Sequence, residues 1–105
     1  MNYIGSIFSP NFFSDDVLER QGEITVKISK TSLDELYEIV EKGEYINAVK
    51  QAPILEFLKE ELDLPHRVYD GFVSLIPGDT FYIVTIPKNR KESGYRIYKL
   101  HIINK

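Results

Sequence analysis

The chain has 105 residues, of which 43% are hydrophobic and 28% charged, with a formal net charge of −3, two histidines and no cysteine. That length and balance describe one globular domain spanning residues 1–105 and exclude a disordered chain, which needs fewer apolar residues and more net charge. The charge excludes a broad basic footprint for duplex nucleic acid, and the missing cysteine excludes disulfides, thiolate catalysis and cysteine-based zinc sites.

Asn2 to Phe8 (NYIGSIF) reads as an apolar, aromatic first strand that ends at Ser9-Pro10-Asn11. Phe12-Phe13 and the following Ser14-Asp15-Asp16-Val17-Leu18 read as a short helical turn with Ser14 as N-cap. Gln21-Gly22 breaks the chain, and Ile24 to Ile28 then alternates apolar with polar residues, as a half-buried strand does. Ser32 and Glu35 have capping-box spacing, and Leu33, Leu36, Tyr37 and Val40 repeat at helical intervals up to Gly43, which reads as a C-terminal cap. Glu44 to Val49 reads as a short strand. Pro53 suits the first turn of a second helix whose buried stripe is Ile54, Phe57, Leu58 and Leu62, stopped at Leu64-Pro65.

The second half reads as three strands: Arg67 to Leu75, Thr80 to Ile86, and Tyr95 to Ile103. Pro77-Gly78-Asp79 is a tight-turn signal between the first two. Pro87 to Gly94 is polar and charged and reads as an exposed loop. On the last strand Arg96, Tyr98 and Leu100 alternate with Ile97, Lys99 and His101, so its two faces differ. The expected fold is α+β: a small mixed sheet of five to six strands with two main helices packed on it. The seven Tyr and six Phe supply core mass to a short chain. No run approaches the roughly 18–20 apolar residues of a membrane span. The N-terminus does not read as a signal peptide. A cytoplasmic protein with no membrane partner is therefore expected.

Signatures of dinucleotide, P-loop, zincin and nucleophile-elbow enzymes are absent. His66 and His101 each read as lone surface or edge residues, and Asp15-Asp16 and Glu60-Glu61 as solvated acids. Two segments carry more chemistry. Asn47 to Pro53 runs from a strand straight into a helix N-terminus, where backbone N–H groups, the helix dipole, Lys50 and Gln51 offer an anion seat. An ordinary strand-to-helix turn reads the same way. Lys88-Asn89-Arg90-Lys91 puts three cations and an amide on one loop, either a lid over a phosphate-bearing ligand or a solubilising tip. Arg67 is a further cation beside His66.

Taken in order, YIGSIFSPNFFS, INAVKQAPILEFLKEEL, LPHRV, PGD, KNRKESG and GYRIYKLHI resemble segments of the anti-CRISPR ring nucleases of viruses and mobile elements, which bind and cleave cyclic tetra-adenylate. The resemblance implies a dimer sharing one two-fold pocket, with no cofactor and no metal. It implies ligand contacts at Ser6, Ser9, Asn11, Lys50, Gln51, Arg67, Asn89, Arg90 and Glu92. The family's catalytic histidine falls at Gln51, and an amide cannot act as a general acid. Lys50 replaces a glycine, and Ser6 an asparagine. These departures favour a homodimeric anti-defence protein that sequesters a cyclic oligonucleotide or related nucleotide in the host-cell cytoplasm. Two alternatives stand beside it: an active, metal-independent ring nuclease, with His66 as substitute acid, and a non-enzymatic protein-interaction module.

Overall fold

Five strands and three helices form in the computed structural model, which describes residues 1–63, 73–85 and 95–104. The strands are β1 (Asn2–Gly5), β2 (Ile24–Thr31), β3 (Ile46–Asn47), β4 (Thr80–Thr85) and β5 (Arg96–Asn104), and the helices are α1 (Asp15–Gln21), α2 (Leu33–Lys42) and α3 (Ala52–Leu62). The sheet order is β2-β5-β4-β1-β3. β1 lies parallel to both β3 and β4, while β5 is antiparallel to β4 and β2. This is the expected mixed α+β sheet.

Burial follows the strand period. Tyr3 and Ile4 on β1, and Phe81 and Tyr82 on β4, point to opposite faces and are all buried, so the central strands are covered on both sides. One face packs Ile4, Tyr82, Val84 and Ile97 against Leu36 and Ile39 of α2 and Ile54, Leu55, Leu58 and Leu62 of α3. The other packs Tyr3, Phe81, Leu100 and Ile102 against Phe13 and Leu75, with Phe8 and Phe12 beside them. Edge strand β2 alternates only over its first half: Ile24 and Val26 are half-buried and Thr25 and Lys27 exposed, but Ile28, expected on the buried face, is exposed because the strand there runs past the core at the sheet edge.

Several elements are shorter than, or differ from, the sequence reading. β1 ends at Gly5 instead of Phe8, because Ser9 and Pro10 open a 3-10 turn over Pro10–Phe12 and Phe8 turns into the aromatic cluster. The Glu44–Val49 strand shrinks to Ile46–Asn47, since Ala48 and Val49 already belong to the turn into α3. On α2 the buried residues are Leu36 and Ile39, and Tyr37 stays 51% exposed. On α3 Leu55 is buried and Phe57 only partly so. α3 stops at Asp63, whose φ of 57° takes the left-handed conformation. Residues 73–75 form no strand; the Leu75 N–H donates instead to the Phe12 carbonyl at 2.8 Å. The rest of that expected strand, Arg67 to Phe72, lies outside the described residues. In the Pro77–Asp79 turn Gly78 has φ 99°, and the Ile76 N–H donates to Asp79 Oδ2 at 3.0 Å.

Candidate functional site

The parallel strands β3, β1 and β4 lie side by side, so their C-terminal ends open on one end of the sheet, where open α/β sheets place ligands. Ile4 is in register with Asn47 on one side and Tyr82 on the other. The chain leaves β1 at Ser6, β3 at Ala48 and β4 after Thr85. β5 enters at the same end, since Thr85 pairs with Arg96. Tyr95, just before β5, stacks on Phe57 of α3 with ring centroids 3.6 Å apart.

The turn from β3 to α3 is held by its own backbone. The Ala48 N–H donates to the Ile4 carbonyl at 2.6 Å, and Asn47 Oδ1 accepts from the Val49 N–H at 3.2 Å. Val49 is fully buried and anchors the turn, which leaves Lys50 and Gln51 exposed. Gln51 is the N-cap of α3 (φ −92°, ψ 123°); its carbonyl accepts from the Leu55 N–H at 3.0 Å, but its side chain makes no capping bond. The positive end of α3 therefore faces outward uncapped by a side chain, with a lysine and a free amide beside it.

Ser6 follows the end of β1, the parallel neighbour of β3. Gly5 before it is required by a close approach: a Cβ there would lie 2.5 Å from Phe81 Cζ. Ser9 and Asn11 have a different role. Ser9 Oγ accepts from the Asn11 N–H at 3.2 Å and caps the 3-10 turn. Phe8 and Phe12 beside that turn pack on Phe81, on the face away from α2 and α3. Ser6 thus follows β1 at the end of the sheet where Lys50 and Gln51 follow β3, whereas Ser9 and Asn11 lie over the opposite face. His66, Arg67, Asn89, Arg90 and Glu92 lie outside the described residues. Open depressions bordered by described residues lie elsewhere: along the outer side of α3, beside the start of β1, and on the β2–β5 edge.

A polar network that the sequence reading did not single out joins α2 to the sheet. Thr31 donates to Glu35 Oε2 at 3.0 Å, Lys99 Nζ approaches Glu35 Oε1 at 3.5 Å, and the same ammonium lies 5.9 Å from the Tyr82 ring centre. Burial, the Glu35 charge and a hydrogen bond to Glu35 push the Tyr82 phenol well above its ordinary range. Burial also raises Tyr45. The alternation of Ile97, Lys99 and His101 on one face of β5 was the signal for part of this network. His101 is exposed, with Nδ1 3.4 Å from Thr80 Oγ1. Among the described residues no group of three or more His, Cys, Asp or Glu side chains gathers as a metal site, and no helix is long and apolar enough to cross a membrane.

A small mixed-sheet α+β domain with two helices, α2 and α3, packed on one face is thus the class of protein present. Its fold is similar to that of B116 of Sulfolobus turreted icosahedral virus (STIV), with a TM-score of 0.69 and 16% sequence identity, over 95% of this chain and 97% of that one. No family model and no curated protein sequence matches the chain.

Proposed function

We propose that this protein binds and sequesters a phosphorylated nucleotide signal of the cyclic-oligonucleotide type, as a homodimeric anti-defence protein of a virus or mobile element. The observation that carries this reading is the exposed Lys50–Gln51 pair on the uncapped N-terminus of α3, at the end of the sheet where the parallel strands finish. A phosphate there meets backbone N–H groups, a helix dipole and an ammonium. Gln51 holds an amide where the resembled nucleases hold their acid, so the corner can grip a phosphodiester but has no proton to give a leaving ribose oxygen. Sequestration needs no chemistry, because a tight binder lowers free signal by mass action. The likeness in fold to a viral protein over nearly the whole of both chains supports the biological setting.

Isothermal titration with cyclic tetra-adenylate, followed by chromatography of the mixture, tests this reading. Wild-type protein is expected to bind the ring and return it uncut. Lys50→Ala and Arg90→Ala should each weaken binding by about 1.5–3 kcal/mol, roughly ten- to a hundredfold. Gln51→His should introduce measurable cleavage. Rapid multiple-turnover cleavage by the wild type would replace the sponge with a nuclease, and absence of binding to cyclic and linear oligoadenylates would remove both.

A further inference from the structure

The two edges of the sheet are managed differently. β3 is only two residues long, and brevity protects it. β2 runs for eight residues, all in unbroken register with β5, and contains neither a proline nor a bulge. Among the described residues nothing pairs with its outer side, so a row of backbone N–H and C=O groups stays open there. Lys27 and Lys30 are its only charges. Between them Ile28 stands 68% exposed, which a strand protected only against aggregation does not need.

Charge is distributed unevenly around this edge. β2 and β5 together carry four cations and no carboxylate, whereas α2 and α3 carry seven carboxylates against two lysines. Lys27 lies opposite His101, and Ser29 opposite Lys99, on one face of the sheet. With Ile28 these four residues line an open depression of about 590 Å³. A second copy pairing edge to edge would bring together two strands of the same positive charge, with no carboxylate on either to offset it. The occupant this edge selects is a strand of opposite charge.

We infer that β2 accepts an acidic extended segment of a partner protein as a sixth strand, independently of the nucleotide corner. Backbone hydrogen bonds supply affinity in such strand addition, and alternate side chains supply specificity. Lys27 and Lys30 project to opposite faces, and Ile28 shares the face of Lys30. The matching antiparallel segment therefore reads acid, any residue, apolar residue, acid, with the two acids opposite Lys30 and Lys27 and the apolar side chain opposite Ile28. The parallel segment reads in the reverse order.

A fluorescein-labelled ten-residue peptide with two glutamates in that spacing around an isoleucine tests the inference, beside a scrambled peptide of the same composition. The ordered peptide is expected to bind at least about tenfold more tightly than the scramble, with affinity falling as salt rises. Hydrogen exchange should slow at alternate amides of Ile24–Thr31. The double variant K27E/K30E should lose binding of the acidic peptide and gain binding of its lysine counterpart, a rescue that a misfolded variant cannot show. Equal binding of the scramble, no binding of either peptide, or protection confined to residues outside β2 would overturn the inference. So would concentration-dependent protection of β2 without peptide, which would give the edge to a second copy.

Discussion

Tyr82 lies on β4 with 3% of its surface exposed, under α2 and against the Glu35 carboxylate. In the unfolded chain a phenol loses its proton near pH 10, and in the folded protein burial and Glu35 hold that proton to higher pH. Below about pH 10 both states are protonated and the contribution of this group to stability is intact. As pH rises further the unfolded state ionises first, so stability falls until the folded-state value is passed. The slope for one such group reaches about 1.4 kcal/mol per pH unit. Urea unfolding between pH 9 and 11 should therefore show a steeper alkaline loss for the wild type than for Tyr82→Phe; parallel curves would mean that Tyr82 ionises alike in both states. The sequence marks residue 82 only as an apolar position in a strand. Its partner Glu35 lies on a helix that only folding brings over β4.

Ser14 and Ser32 both precede helices and look alike as N-caps, yet the structure separates them. Ser14 Oγ accepts from the Val17 N–H at 3.2 Å, whereas Ser32 makes no side-chain capping bond. Glu35, the expected reciprocal partner in a Ser32–Glu35 capping box, is drawn instead to Thr31 and Lys99. Ser14→Ala should cost about 1 kcal/mol, while Ser32→Ala should be close to neutral, read as shifts in the urea midpoint at constant slope. Equal losses would mean that Ser32 caps α2 in solution. The start of α1 was legible because its cap is a local contact three residues long. The fastening of α2 was not, because Glu35 turns to Thr31 and to Lys99, 64 residues away, instead of back to Ser32.

A domain of this length leaves a large share of its surface in water, and pairing with a copy of itself would offset that. Ile7 is 58% exposed immediately after Ser6, at the corner where a two-fold pocket would close. Light scattering at micromolar concentration should give the mass of a homodimer, and Ile7→Glu should shift it toward monomer without loss of helix signal in circular dichroism. A monomer mass for the wild type, with and without nucleotide, would remove the shared pocket.

The class of fold, the three helices with their approximate ends and the strands β2, β4 and β5 were determined by the sequence itself. The signals are alternation at β2, helical spacing at Leu33, Leu36 and Val40, a serine at the start of α1, and glycines after α1 and α2. These are contacts within a few residues of chain, where spacing alone sets which side chains share a face. Tertiary structure decided that β1 lies between β3 and β4, that Gly5 must pass under the Phe81 ring, and that Ser9 caps a turn on the face away from α2 and α3. It also decided which strand became the long open edge. Strand order and edge exposure depend on contacts between residues far apart in the chain, and no local pattern encodes which distant partner a strand will meet.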